Sequence, residues 1–414
     1  MIRIKGRPSV LVSRRAPDVT LIGGGASSVS IYFDNNATTR VDSEVVRAML
    51  PFLTDQFGNP SSMHDVGAAA GAAMKRARQQ LQALIGATFD HEIIFTSGGT
   101  ESNNTAILSA LEVMPGRTEI VTSAVEHPAV LALCGYLEKT RGIKVHRIPV
   151  DQHGRIDIDA YRTALTHHVA IVSIMWANNE TGTIFPVVRL SEMAKKVGAI
   201  FHTDAVQAVG KLPIDLKSTA IDMLSLSGHK FHGPKGVGAL FIRSGVPFHA
   251  LFKGGHQQRD RRAGTENTPG IVGLGKAAEL ALECMDEENR RVRSLRDHLE
   301  KGLLARIPNT FVNGDLLARL PNTTNVSFEG IGGEAVQFLL NRKGIACSFG
   351  SACTSGSSLQ SHVLEAMKIA PTAALGAVRF SFSRFNREED VDQVLQVIPG
   401  IVKKLQDSFP AAVR

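Results

Sequence analysis

The run Val169–Trp176 is apolar at nearly every position. A strand with one wet face alternates polar and apolar residues; a strand covered on both faces does not. The surrounding texture agrees with a doubly covered sheet. From 31 to 243 short apolar runs alternate with helical patterns. Strands are expected at Ile93–Thr96, Glu119–Thr122, Lys144–Ile148, Ala199–Thr203, Asp222–Leu226 and Gly238–Ile242, besides Val169–Trp176. Helices are expected at Ala68–Ile85, Ser102–Met114, Ala129–Thr140 and Val187–Val197. Strand–helix–strand order predicts an α/β domain with a mostly parallel sheet, whose ligands collect in the loops at the strand carboxyl ends.

After Asn267 the pattern changes. Ile271–Arg306 reads as one long charged helix. It is followed by strands Thr323–Phe328, Ile345–Ser348 and Ala377–Phe382, helix Gly333–Lys343, and a last helix from about Arg387 to Ser408. Asn386 with Glu389 has the spacing of a reciprocal cap. The expected organisation is a basic flexible extension at 1–30, a large domain at 31–270, whose segment 31–45 can pack with the small domain, and a smaller α+β domain at 271–414.

The net charge of +7 is uneven: +4 of it lies in residues 1–30, among Arg3, Lys5, Arg7, Arg14 and Arg15 against Asp18. The remaining +3 is too little for a nucleic-acid-binding face. No stretch reaches the roughly 20 apolar residues of a spanning helix, so no membrane partner is expected. Residues 1–30 lack a secretory apolar core, although their Arg and Ser content has some transit-peptide character. Four scattered cysteines, Cys134, Cys284, Cys347 and Cys353, exclude a disulfide scaffold and fit a reducing, cytoplasmic setting.

Five polar turns follow the predicted strands. Ser227-Gly228-His229-Lys230 puts a lysine at a strand end, where its amine can condense with a carbonyl cofactor. Ser97-Gly98-Gly99-Thr100 opens a helix, so its backbone N–H groups can cradle a phosphate; it lacks the Gly-Lys-Ser/Thr of an ATP loop. Asp204 closes an apolar strand, where a carboxylate can pair with a protonated pyridine nitrogen or cap a helix. His127 follows another strand and can stack on a flat ring or serve the fold. Asn178–Gly182 is the fifth turn. Together they compose a site for pyridoxal 5′-phosphate.

These turns also carry a resemblance. Phe33–Thr39, Ser97–Asn104, Glu126-His127, Asn178–Gly182, His202–Gln207, Ser227–Lys230, Arg262–Asn267 and Ser348–Gly356 resemble the cysteine desulfurases of the class V aminotransferase-like group. The likeness runs from Ile31 to the C-terminus. It implies an aspartate-aminotransferase-like, fold type I large domain and a smaller α+β domain. It also implies that Lys230 holds the cofactor and moves protons at Cα, that Gly99, Thr100, Ser227 and His229 bind its phosphate, and that His127 stacks on the ring. Asp204 would meet the ring nitrogen, Asn179 and Gln207 the ring oxygen side. Thr265 would reach the phosphate of a neighbouring subunit, making a homodimer. Arg379, aided by Asn36, would take the substrate carboxylate, a task suited to a planar fork.

Cys353, in Ser351-Ala352-Cys353-Thr354-Ser355-Gly356, matches the cysteine that accepts sulfur from L-cysteine as a persulfide and releases L-alanine. The same sulfur would be its point of contact with an iron–sulfur cluster, the only metal contact expected, and an iron–sulfur scaffold protein would be the acceptor. Cys134 and Cys284 read as buried small residues, and Cys347 as a packed thiol. The Ser351–Gly356 loop resembles the long-loop desulfurases, NifS and IscS, rather than the short-loop SufS group. His202–Ala208 and Val378–Arg384 look closer to NifS, which serves nitrogenase, than to housekeeping IscS, and selenocysteine lyase is the other reading on this fold. Departures from the pattern are Phe349, His256–Arg259 and Gln360-Ser361.

Overall fold

The computed structural model describes residues 31–349 and 361–408. The chain opens with β1 (Ile31–Tyr32), α1 (Ser43–Met49) and α2 (Asp65–Ile85). Next come β2 (Ile93–Thr96), α3 (Gly99–Val113), β3 (Glu119–Ser123), α4 (Pro128–Arg141), β4 (Lys144–Ile148) and α5 (Ile158–Ala164). Then follow β5 (Val169–Ser173), α6 (Val187–Lys196), β6 (Ile200–Asp204), β7 (Met223–Ser227) and β8 (Gly238–Ile242). Seven of these strands form one sheet in the order β2-β8-β7-β6-β5-β3-β4. β8 pairs antiparallel with both neighbours, so it alone runs against the other six.

Burial explains the composition of these strands. Every residue of β5, β6, β7 and β8 is buried. Successive side chains enter opposite layers. Ile200 and Met223 join the core with Ile107 and Val130, while Phe201 and Leu224 join the core with Leu81 and Leu274. At the edge, β4 exposes Lys144 and Arg147, and Lys144 and His146 pair with Glu119 of β3 at 3.2 and 2.8 Å. Charges on an edge strand discourage pairing with another chain. α2 stops at Gly86, whose φ of 59° is a left-handed conformation that glycine adopts without a Cβ clash.

The long helix α7 (Thr268–Arg306) is capped by Asn267 and serves two cores. Ile271 to Met285 pack under the seven-stranded sheet; Val292 to Leu303 pack in a second core. That second core covers a sheet of order β12-β13-β10-β9, made from β9 (Thr310–Asn313), β10 (Thr323–Phe328), β12 (Ser348–Phe349) and β13 (Ala377–Ser381). Around these lie α8 (Gly333–Asn341), β11 (Ile345–Ala346), α9 (His362–Ala366), α10 (Pro371–Ala374) and α11 (Glu388–Ser408). β1 pairs in parallel with β11, and Ile31 and Phe33 sit in the second core.

Local readings differ from the observed elements in four places. The run expected as one strand at Ile345–Ser348 divides at Cys347, because β11 pairs with β1 and β12 with β13. β5 ends at Ser173, although Ile174 and Trp176 still donate to carbonyls of β6, at 3.2 and 2.9 Å. The cap expected from Asn386 and Glu389 is replaced. Asn386 accepts the Ser383 N–H at 2.9 Å, while Asp390 takes the Arg387 N–H at 3.0 Å. Asn386 is buried and donates to Tyr32 O at 3.0 Å, so tertiary contacts recruit its side chain. Cys284 is half-buried rather than buried, on the flank of α7.

Candidate active site

The carboxyl ends of β2, β3, β5, β6 and β7 open on a cavity of ≈ 380 Å³. Its floor is the turn Gly228–Lys230, a 3-10 turn directly after β7. Gly233 makes that turn possible: its N–H bonds Gly228 O at 2.9 Å, and a Cβ there would lie 2.8 Å from the same oxygen. Lys230 Nζ donates to Asn36 O at 2.6 Å and Ala37 O at 2.9 Å. The amine is thus held by the strap at 34–39, which is laced to the lysine turn by Thr39 N–H on His229 O at 2.8 Å.

One end of the cavity is built from α3. Among the described residues no side chain caps its N-terminus, so its first N–H groups and dipole can serve an anion. Gly99, Thr100, Ser227 and His229 line this end. A Cβ on Gly99 would meet Val206 Cγ2 at 2.7 Å, so only glycine leaves the cradle open. The proton affinity of His229 is pushed down to about 4 by burial, then by the charges of Lys230, Lys235 and Lys211. Near neutrality its ring is therefore a neutral hydrogen-bonding group; Nδ1 lies 3.2 Å from Thr38 Oγ1.

Asp204 ends β6 and lines the middle of the cavity. Its Oδ2 accepts from Asn103 Nδ2 at 2.6 Å, and its Oδ1 from the Val206 N–H at 3.0 Å. The carboxylate both braces its own turn and presents charge to the cavity. Two residues earlier, His202 spans the sheet between Ser173 Oγ at 2.9 Å and Ser225 Oγ at 2.8 Å. His127, the N-cap of α4, accepts the Ala129 N–H at Nδ1 and also borders the cavity. The adjacent Glu126 is buried, which drives its carboxyl up to about 8; it accepts from Ser123 Oγ at 2.6 Å and the Met175 N–H at 2.9 Å.

The opposite end belongs to Arg379 of β13, 1% exposed. Its guanidinium donates to Asp34 Oδ1 at 2.6 Å and Asn179 O at 3.0 Å, and among the described residues Nε has no partner. Asn36 is consumed by structure: Nδ2 donates to Thr323 Oγ1 at 2.8 Å and Asn179 O at 3.2 Å, and Oδ1 accepts from Asn322. Gln207 donates to Asn36 O at 2.9 Å and accepts from Lys211 Nζ at 2.8 Å.

The fold thus gathers Asn36, Gly99, Thr100, His127, Asn179, Asp204, Gln207, Ser227, His229, Lys230 and Arg379 around one cavity. Thr265 is exposed and lies outside that lining. Cys353 and the extension at 1–30 lie outside the described residues. Cys347 is buried, and burial followed by the Asp34 charge raises its thiol far above the ordinary range; Cys134 is buried too, its thiol pushed up to about 12. Among the described residues no group of three His, Cys, Asp or Glu side chains could hold a metal ion. Sequence reasoning missed Asn103, Asp34 and Lys211. The first two stand inside the recognised motifs, but their partners, Asp204 and Arg379, are 101 and 345 positions away.

Residues 31–394 match the family described as aminotransferase class-V. The chain is 76% identical over 380 residues to a cysteine desulfurase of Sinorhizobium fredii (strain NBRC 101917 / NGR234), covering 92% of this chain and 98% of that one. It is 58% identical to the cysteine desulfurase NifS of Azotobacter vinelandii, over 92% and 94% of the two chains. Among solved structures, a NifS-like protein superposes with a TM-score of 0.85 at 40% identity, over 91% of this chain and all of the other. SspA in complex with cysteine superposes with a TM-score of 0.76 at 34% identity, over 86% of this chain and all of the other.

Proposed function

We propose, for a chain that belongs to the class V aminotransferase family and acts as a cysteine desulfurase, that pyridoxal 5′-phosphate binds in this cavity on Lys230 and that the substrate sulfur passes to Cys353. One observation carries the cofactor reading. A lysine amine, an uncapped helix N-terminus and a buried carboxylate converge on a single cavity. The residues fit the group: Gly99 leaves room for a phosphate, Ser227 and neutral His229 offer it hydrogen bonds, and Asp204 offers charge to a ring nitrogen. When bound, the cofactor supplies an electron sink for the pair released at the substrate Cα.

The protein's own residues do the rest. Arg379, held by Asp34 and Asn179 O, receives the substrate carboxylate, and Asn36 positions that pocket through its bonds to Thr323 and Asn179. Lys230 Nζ, kept beside Asn36 O and Ala37 O, takes and returns the proton at Cα. His127, Asn179 and Gln207 fix the ring. The Cys353 thiolate forms a bond to the sulfur of L-cysteine as the carbon–sulfur bond breaks. The electron pair stays with the carbon skeleton, which leaves as L-alanine after protonation, and the sulfur remains on Cys353 as a persulfide. From there it passes to an iron–sulfur scaffold protein, and the likeness to NifS supports service to nitrogenase.

Exposed Thr265, matching a residue that reaches across to a neighbouring subunit, and the large exposed side chains Phe57 and Met63 support a homodimer. A cytoplasmic place belongs to the same reading, drawn from the scattered cysteines; among the described residues no helix is long and apolar enough to cross a membrane. The test is a single turnover with L-cysteine and no reductant, followed by peptide mass spectrometry. The expected result is the mass of one added sulfur atom on the Cys353 peptide with matching alanine. Sulfur found on Cys347 instead, or alanine without any protein-bound sulfur, would overturn the assignment.

A further inference from the structure

Lys211 is a buried lysine that the mechanism above leaves without a task. It lies four residues beyond Gln207, is 9% exposed, and accepts Asn289 Nδ2 from α7 on its carbonyl at 2.8 Å. Its Nζ donates to Gln207 Oε1 at 2.8 Å; Gln207 Nε2 donates to Asn36 O at 2.9 Å; and that same oxygen accepts Lys230 Nζ at 2.6 Å. A continuous chain of bonds therefore joins the two lysines.

The two ends of a glutamine amide are almost the same shape, so its orientation is decided by its partners. An ammonium has three donors and no acceptor. Lys211 Nζ donates to Gln207 at 2.8 Å, so Gln207 presents its carbonyl oxygen there. Its NH₂ end is then turned to the cavity wall, where Asn36 O takes one hydrogen and the second is left for an acceptor in the cavity that Gln207 lines. Asn36 O favours the same orientation, and Lys211 supplies the matching donor on the other side; without Lys211 only Asn36 O would oppose the flip that turns an oxygen inward.

We propose that Lys211 is a positioning residue: by claiming the carbonyl oxygen of Gln207, it makes the cavity offer an N–H donor, rather than an acceptor, to the ring oxygen of the bound cofactor. The inference rests on the pyridoxal phosphate reading. Burying a charged lysine carries a desolvation cost. Burial, followed by repulsion from Lys230, lowers the proton affinity of Lys211 to about 7, while Glu288 of α7 opposes this and Arg379 adds to it. The other charged or titratable groups near it are His229, and His232 and Arg384 on Glu288, with Asp42 beyond Arg384.

An inward donor stabilises negative charge on the ring oxygen and so lowers the pH at which the cofactor–lysine chromophore loses its proton. The experiment titrates the visible absorbance of cofactor-loaded protein and measures cofactor release. Lys211→Met should raise the titration midpoint by about one pH unit and speed cofactor release by about three- to tenfold. Lys211→Arg, again donor-only, should restore both. Most of the Lys211→Met shift should vanish in a Gln207→Ala background, because contacts that act through one another are not additive. An equal shift in both backgrounds would mean that Lys211 acts by charge alone, and no shift in either would mean that it does nothing here; both outcomes overturn the proposal. Should Lys211→Met not fold, Lys211→Gln, which can donate or accept, replaces it. A wild-type protein with no visible band would instead sink the cofactor reading itself.

Discussion

The two ends of the cavity are built in opposite ways. The end at α3 is local: Gly99, Thr100 and the helix N–H groups come from one turn, joined by Ser227 and His229 from the next strand but one in the sheet. The end at Arg379 is assembled from distance. Its guanidinium leaves the middle of the small sheet, opposite Asn325 and Ser348, and is fixed by Asp34 and by the carbonyl of Asn179. Backbone donors belong to the turn itself and need little support. A buried side-chain charge needs a counter-charge, and here that counter-charge sits at the far end of the sequence.

Lys230, between the two ends, should give the largest effect. Lys230→Ala should lower desulfurase activity by about 10³-fold or more, and borohydride should no longer fix the cofactor to the protein; covalent fixation in the variant would break the assignment. Arg379→Ala comes next. It should raise KM for L-cysteine by about 10²-fold, corresponding to about 3 kcal/mol, and destabilise the fold by about 2–3 kcal/mol because Asp34 loses its partner. Adding Asp34→Asn should return part of the stability and none of the KM. A pair of variants in which both recover together would show that this end is not a carboxylate site.

A smaller effect is expected at the local end. Gly99→Ala places a Cβ against Val206, an overpacking of about 1–3 kcal/mol, which should weaken cofactor binding about tenfold. Val206→Ala in the same chain should recover most of it; failure to recover would mean that the α3 end needs the glycine for more than space.

The effect furthest from the chemistry concerns acid stability of the sheet beneath the cavity. Burial pushes His202 down to about 3 from an ordinary 6.5. The unfolded chain binds a proton there once the pH falls below about 6.5, the folded chain only near 3. Stability present at neutral pH is therefore lost as the pH falls through that window, by up to about 1.4 kcal/mol per pH unit from this group. Urea unfolding at about pH 7 and about pH 5 should show the slope, and His202→Gln should flatten it.

How much was legible follows the same division. The strands from β2 to β8 are readable to within a few residues because both-face burial dictates their composition, and the turns between them because a glycine-opened helix, a lysine and a carboxylate stand at their ends. The short strands β1 and β9 are not readable: two to four residues carry no period, and β1 exists because β11 lies beside it. Asn386 looks like a cap and is recruited by Tyr32 instead. Nothing in the sequence marks Lys211; its neighbours in space, Gln207 and Asn289, reveal that it is enclosed.

Residues close together in the chain dictated the doubly covered, mostly parallel sheet, the turns that gather at its carboxyl ends, and the lysine, carboxylate and glycines placed there. Each of these depends on residues within a few positions of one another, where spacing alone sets geometry. Tertiary structure alone decided that Asp34 holds Arg379, that Asn36 is spent on bracing Asn179, Thr323 and Asn322, and that Lys211 lies behind Gln207. These are contacts between segments far apart in the chain. Their free energy depends on how deeply each charge is buried and what faces it, and neither quantity exists until the two cores have closed.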